Sequence, residues 1–130
     1  MHDFRWPALV TLGTVVLLFM MAVNVGRARG KYRIDAPATT GNVDFERVFR
    51  VQMNTQESAL MFLPALWIYA AFMSEVWAAA FGVVWLASRV WYAIAYQQAA
   101  ARRGPAFGLS VLAIAVLTGG AACGVVRTLL

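Results

Sequence analysis

The chain has 130 residues, of which 62% are hydrophobic and only 13% are charged, which is more apolar than a soluble domain of this size tolerates. Its 11 Lys and Arg residues against 6 Asp and Glu could indicate nucleic-acid binding, but the charges lie at the ends of apolar runs and not on one soluble face. The composition therefore excludes a soluble nucleic-acid-binding protein and predicts an integral membrane protein whose partner is lipid.

Two apolar segments predict membrane helices in the first half of the chain. The first helix is predicted at about residues 7–26. It is longer than a signal-peptide core, and basic residues follow it where a cleavage site would stand, so we expect it to be retained. After a polar loop, the second helix is predicted at about residues 44–73. Its apolar half, residues 58–73, is too short to span a bilayer alone, so a long helix with a polar first half is expected.

Two further helices are predicted in the second half of the chain. A tight turn at residues 74–75 leads to the third helix, at about residues 76–98. The segment Arg102-Arg103-Gly104-Pro105 then ends this helix and starts the fourth, which runs to about residue 127. The predicted fold is all-α: a transmembrane four-helix bundle forming a single domain over residues 1–130.

Basic residues are distributed unequally between the two ends of this bundle, which predicts its orientation. The termini carry only Arg5 and Arg127, and the second loop carries no basic residue. The first and third loops carry Arg27, Arg29, Lys31, Arg33, Arg102 and Arg103. By the positive-inside rule, these two loops face the cytoplasm and both termini lie on the opposite side.

The second helix carries polar side chains on two sides. At 100° per residue, Arg50, Asn54 and Glu57 share one face, and Arg47 lies at its edge. Gln52 and Gln56 fall nearly opposite. A single four-helix bundle cannot readily bury both sides, whereas an oligomer can cover the second with a neighbouring chain and hold a polar site between subunits.

The third helix carries a matching polar face. Arg89, Tyr92 and Tyr96 stand at i, i+3 and i+7, so the two helices could enclose one polar ligand between donor-rich faces. Alternatively, Glu57 pairs with Arg50 or Arg89 only to hold the helices together, and the tyrosines anchor the membrane interface. Spacing alone leaves both interpretations open. The loop arginines likewise follow from topology without any ligand.

Histidine and cysteine are too scarce for a metal centre. The single histidine, His2, lies in the leading tail, and the single cysteine, Cys123, lies within an apolar run. A metal cluster or a histidine-based triad needs several such side chains at one place. The sequence therefore predicts no metal cofactor.

The segment FERVFRVQMNTQE, residues 45–57, together with PATTG at residues 37–41, resembles the signature of the MAPEG family of membrane glutathione transferases. The resemblance continues in register from the first helix to the fourth and is closest to the branch of microsomal glutathione transferases and the leukotriene-forming synthase. It implies a homotrimer of four-helix subunits, with glutathione bound between neighbours near the cytoplasmic side.

The resemblance also implies roles for particular residues. The thiol-activating arginine falls at Arg103 by register and at Arg102 if Pro105 is the anchor, and Arg103 is favoured. Arg89 joins the glutathione-binding set through its spacing from the two tyrosines. The implied glutathione contacts are Arg50, Asn54, Glu57, Tyr92 and Tyr96 from one subunit, and Arg29 and Gln52 from the next.

The activity implied is a glutathione transferase that joins the glutathione thiolate to lipophilic electrophiles arriving through the bilayer, in what we expect to be a bacterial inner membrane. Reduction of lipid hydroperoxides remains open as a second reaction. Two positions depart from the branch: Ser58 replaces a usual tyrosine and Gly30 a usual arginine. The alternatives are a small transporter that uses the intramembrane carboxylate of Glu57, and a non-catalytic relative.

Overall fold

The computed structural model describes residues 3–130, so His2 lies outside the described part of the chain. Four long helices and one short 3-10 helix account for most of it, and no strand occurs within residues 3–130. The predicted all-α, four-helix architecture is therefore confirmed. The helices are α1 (Arg5–Tyr32), α2 (Val43–Phe72), α3 (Glu75–Gln98) and α4 (Gly104–Leu129), with the 3-10 turn Ala100–Arg103 between the last two.

Helix α1 is longer than predicted, because it continues past residue 26 to Tyr32. The predicted loop is wrong in its first part: Arg27, Arg29 and Lys31 lie in the helix. Gly26 does not end the helix, since arginine and lysine are good helix formers and stabilise the negative end of the helix dipole. The 28 residues of α1 extend about 42 Å, more than the ~30 Å hydrocarbon core. Its basic last turns therefore project beyond the lipid tails.

Helices α2 and α3 begin at side-chain caps that the sequence provides. Asn42 Oδ1 accepts hydrogen bonds from the backbone N–H groups of Asp44 (2.9 Å) and Phe45 (3.1 Å). Ser74 Oγ accepts one from the N–H of Trp77 at 3.3 Å. Such caps satisfy N–H groups that have no partner inside the helix. The predicted limits of both helices agree with the structure to within one or two residues.

Three helices between residues 3 and 130 are long and apolar enough to cross a membrane. The mean hydropathy of an 18-residue stretch within each is 2.3 for α1, 1.4 for α3 and 2.2 for the segment Ala100–Leu129. Helix α2 has 30 residues but is not among them, because its first half is polar. Its apolar half still presents large side chains outward, such as Leu60, which is 77% exposed. Apolar surface of this kind is suited to lipid.

The core is built from stacked rings and small residues. The rings of Phe62 (α2) and Trp85 (α3) stack with centroids 4.0 Å apart, and Trp85 Nε1 donates to Ser58 Oγ at 3.0 Å. Gly82 lets α3 approach α1 closely, since a Cβ there would lie 2.7 Å from Val10 Cγ1. This packing fixes how far α3 is rotated toward α2, and so which of its polar residues face α2.

Candidate functional site

A polar cleft of about 480 Å³ opens between the first half of α2 and the end of α3. It contains Arg50 and Tyr96, two of the residues predicted to contact glutathione. Arg50 is exposed, whereas Tyr96 is buried in the wall of the cleft. The lining residues are Thr39, Val43, Glu46, Arg47, Phe49, Arg50, Tyr96 and Ala100.

The two adjacent arginines of the 3-10 turn point to different partners. The guanidinium carbon of Arg103 lies 5.2 Å from the centroid of the Tyr96 ring, which forms part of the cleft. Arg102 Nη1 instead donates to Gln98 Oε1 at 3.4 Å. Both residues are exposed. Of the two predicted candidates, Arg103 is the one whose charge stands at the cleft.

Arg89 is completely buried and joins three helices. Its Nη2 donates to Asn54 Oδ1 at 2.9 Å and to Thr55 Oγ1 at 2.8 Å, both on α2. Its Nε lies 3.3 Å from the same Thr55 oxygen, and its Nη1 donates to Ser110 Oγ on α4 at 3.4 Å. Its guanidinium carbon also sits 4.1 Å from the centroid of the Tyr92 ring. Arg89 therefore lies behind the cleft, not on its surface.

The proposed pairing of Glu57 with Arg50 or Arg89 is wrong. Among residues 3–130 the ion pairs are Arg5 with Asp3, and Arg47 with Asp44 at 3.6 Å. Glu57 is exposed on the single chain. The physical reason is that α3 faces the side of α2 that carries Thr55. The Arg89 guanidinium therefore donates to neutral acceptors on that side and does not contact Glu57.

The remaining predicted contacts lie at different places around α2. Tyr92 is 2% exposed, and its ring centroid lies 5.6 Å from that of Tyr96. Gln52 is half-buried and Gln56 is exposed. Gln56 lines an apolar groove of about 560 Å³ with Leu18 of α1 and other residues of α2. Polar groups therefore stand on two sides of this helix, as its periodicity predicted.

Arg29 lies at the end of α1 and binds the connection to α2. Its Nη1 donates to the carbonyl oxygens of Ala38 at 2.8 Å and Ile34 at 3.3 Å. Its guanidinium carbon lies 5.1 Å from the centroid of the Phe45 ring. Arg29 does not line the cleft of its own chain, so a role there would require the cleft of a neighbouring subunit.

The hydrogen-bonding roles of three buried hydroxyl groups were missed by the sequence analysis. Thr55 and Ser110 accept hydrogen bonds from Arg89, and Ser58 accepts one from Trp85. The signal available was that a polar group inside an apolar helix needs a partner when it is buried. Which partner each hydroxyl has depends on the rotation of the helices, which the sequence does not state.

Metal ligands do not converge anywhere in the described part of the chain: no three His, Cys, Asp or Glu side chains between residues 3 and 130 lie close enough together to hold an ion. Cys123 is a free, exposed cysteine on α4.

Comparison with known proteins identifies one family and several similar proteins. The model of the MAPEG family matches residues 7–123. An uncharacterised protein of Synechocystis is 48% identical over 119 residues, covering 92% of this chain and 87% of that protein. The bovine microsomal glutathione S-transferase 2 is 38% identical over 109 residues, covering 84% and 75% of the two chains. The bovine leukotriene C4 synthase is 37% identical over 117 residues, covering 90% and 78%.

The family match covers all four helices, and three of these are apolar enough to span a bilayer. The protein is thus an integral membrane helical bundle, as its composition predicted. The resemblance noted in residues 45–57 is confirmed at the level of the whole chain, which belongs to the MAPEG family.

Proposed function

We propose that this protein is a membrane-bound glutathione transferase that joins the glutathione thiolate to lipophilic electrophiles, a detoxification reaction. The observation that carries the proposal is the position of Arg103 over Tyr96, at the cleft that also contains Arg50. The names of the relatives support it, since one is a glutathione S-transferase and another a leukotriene C4 synthase.

The polar groups on this face of α2 suit a peptide that carries carboxylates. Arg50 offers several N–H donors in the fork that matches a carboxylate. Asn54 follows it by one helical turn, and Glu57 offers an acceptor for an ammonium or amide group. In this arrangement glutathione contacts Arg50, Asn54, Glu57, Tyr92 and Tyr96 of one subunit, with Arg89 behind them.

The chemical step needs an anionic sulfur. A thiol with a pKa near 8.5 is only a few per cent ionised at neutral pH, and the thiolate is the nucleophile. A guanidinium beside the sulfur lowers the pKa of the glutathione thiol, because it stabilises the anion. Arg103 suits this role since an arginine stays charged in a partly dry site. The sulfur then attacks the electrophilic carbon as the bond to the leaving group breaks. Reduction of a lipid hydroperoxide by two glutathione molecules is the alternative reaction at this site.

The site is completed, in this proposal, by a second subunit of a homotrimer. Gln56 is exposed in an apolar groove, and an amide left facing lipid would lose its hydrogen bonds with water. A neighbouring chain that covers this side of α2 would replace those lost hydrogen bonds. It would also bring Arg29 and Gln52 of one subunit to the cleft of the next.

The orientation in the membrane follows from charge. The basic end of α1 and the 3-10 turn with Arg102 and Arg103 lie at the end of the bundle that holds the cleft. By the positive-inside rule this end faces the cytoplasm, with both termini on the opposite side. The Synechocystis relative supports a bacterial inner membrane as the location.

Glutathione binding by the purified protein tests the proposal directly. Titration with glutathione in detergent should give saturable binding together with the ultraviolet absorbance of a thiolate. Addition of an aromatic electrophile should then give the thioether product. A protein that binds no glutathione would contradict the proposal, and one that binds it without forming a thiolate or turning over would be the non-catalytic relative.

The transporter alternative gains one observation, the exposed and unpaired carboxylate of Glu57. A proton-coupled exporter of cations requires such a group within the membrane. Reconstituted vesicles distinguish the two functions: proton-driven uptake of an organic cation that is lost in Glu57→Gln would favour the transporter, and its absence favours the transferase.

A further inference from the structure

Arg89 is a buried cation whose hydrogen-bond partners are all neutral. It is 0% exposed, and its acceptors are the amide of Asn54 and the hydroxyls of Thr55 and Ser110. No carboxylate pairs with it among residues 3–130. Burying an unpaired charge is costly, so an arginine used only to hold helices together would be expected to have an acidic partner.

The contact with Asn54 fixes which way that amide faces. A guanidinium has only donors, so the atom of Asn54 that lies 2.9 Å from Arg89 Nη2 must be the carbonyl oxygen. The amide nitrogen of Asn54 is then turned to the other side. It donates no hydrogen bond to any described residue, and it is not fully buried. Asn54 therefore offers a donor pair with no partner in its own chain.

This donor pair continues the set that Arg50 begins. The two residues are separated by four positions, so they lie one above the other on the same face of α2. Arg50 lines the cleft, whereas Asn54 follows it by one turn along α2, outside the lining residues, and is half-buried. A ligand entering along this face meets N–H groups from both side chains and no acceptor from Asn54.

We infer that Arg89 is a positioning residue that locks the Asn54 amide with its N–H groups toward the ligand, so that this part of the site accepts only a hydrogen-bond acceptor such as a carboxylate or peptide carbonyl. The inference rests on the proposed function and adds to it a determinant of ligand chemistry. Because the Arg89 guanidinium has donors and no acceptor, it prevents the Asn54 amide from turning over.

Replacement of Asn54 by Asp separates this role from a structural one. Asn54→Asp preserves the size of the side chain and gives the Arg89 guanidinium an anionic acceptor, so the thermal stability should be equal or higher. Its second oxygen would face the ligand as an acceptor. Glutathione affinity should then fall at least about tenfold. An Asn54→Asp variant that binds glutathione as tightly as the unaltered protein would overturn the inference.

Variants of Arg89 test whether this residue fixes the orientation of the Asn54 amide. Arg89→Lys still only donates and should keep most of the glutathione affinity, whereas Arg89→Gln can donate or accept and should weaken binding by releasing the amide. In an Asn54→Ala background, Arg89→Gln should cause no further loss. If Arg89→Gln lowers the glutathione affinity by the same factor in the unaltered protein and in the Asn54→Ala variant, Arg89 acts only through the fold and the inference is overturned.

Ser110→Ala is the matched control, because it removes a 3.4 Å partner of the same guanidinium that does not touch Asn54. Its glutathione affinity should stay unchanged, and a loss as large as that of Arg89→Gln would also overturn the inference. Failure of the proposed function and failure of the positioning role give different results. If the unaltered protein binds no glutathione, the proposed function fails; if it binds and Asn54→Asp binds equally well, only the positioning role fails.

Discussion

Adjacent arginines at the 3-10 turn illustrate how much one position matters at the scale of single residues. Arg103 faces Tyr96 and the cleft, whereas Arg102 binds Gln98 on the preceding helix. Neither side chain is needed for packing, because both residues are exposed. Their replacement should therefore report on chemistry and not on folding.

We expect Arg103→Ala to leave the assembly and much of the glutathione binding intact while it removes most of the thiolate absorbance. Conjugation should slow by about 10²- to 10³-fold, the usual effect of removing one electrostatic contact to a reacting anion. Thiolate absorbance and turnover at saturating glutathione provide the measurement. Arg102→Ala is the matched control and should retain both. Full activity in both variants would exclude activation of the thiol by this turn.

Glu57 is the second residue with a defined expectation. Glu57→Gln keeps the shape of the side chain but removes the negative charge that would bind the ammonium of glutathione, so affinity should fall by about 10- to 100-fold. Because Glu57 has no ion-pair partner in its own chain, the stability should change by less than about 0.5 kcal/mol. Calorimetric titration and thermal unfolding measure the two effects. A large loss of stability with normal affinity would assign Glu57 to structure.

Close approach of α1 and α3 at Gly82 is the feature that matters most at the scale of elements. A Cβ at this position would lie 2.7 Å from Val10 Cγ1 and 3.1 Å from Leu66 Cδ1. Valine has little rotamer freedom in a helix, so it cannot move aside cheaply. The contact fixes the rotation of α3, and with it the direction in which Arg89 and Tyr92 point.

Gly82→Ala should therefore destabilise the bundle by about 1–3 kcal/mol through overpacking, and should weaken glutathione binding indirectly. Gly108 on α4 is a matched control, since nothing lies within 4 Å of a Cβ there. Gly108→Ala should be neutral or mildly stabilising, as alanine favours the helix. Thermal unfolding in detergent compares the two variants, and equal stability of both would disprove the role of close packing at Gly82.

Assembly is the feature that matters most at the scale of the whole molecule. The exposed Gln56 and Glu57 lie on α2 beside apolar surface, which a single chain in lipid would leave poorly solvated. We expect the detergent-solubilised protein to be a trimer by detergent-corrected mass measurement. A clean monomer that still binds glutathione would contradict a site shared between subunits.

Orientation has a test of its own. Single cysteines placed at Lys31 and Gly104, in a variant whose Cys123 is replaced by Ala, should react with an impermeant reagent only from the cytoplasmic side. Cysteines near Asp3 and Leu130 should react from the opposite side. Labelling of Lys31→Cys from the outer side alone would reverse the topology and separate the site from cytoplasmic glutathione.

The sequence by itself determined the helices, their approximate limits and the polar faces of α2 and α3, because these depend on hydrophobic length and on the 3.6-residue period. Family membership could likewise be predicted from residues 45–57, and it is confirmed for residues 7–123. The expected first loop was partly wrong, since Arg27 and Lys31 continue α1. The helix-forming residues around Gly26 outweigh the low helix propensity of that glycine, so the helix continues through it.

Only the tertiary structure decided which polar groups meet. Periodicity places Arg89, Asn54 and Glu57 on faces, but the partner of each depends on how the helices are rotated against one another. Packing at Gly82 and the stacked rings of Phe62 and Trp85 set that rotation, so Arg89 reaches Asn54 and does not reach Glu57. Contacts between helices arise from side-chain packing across the whole bundle, and no local pattern in one helix contains that information.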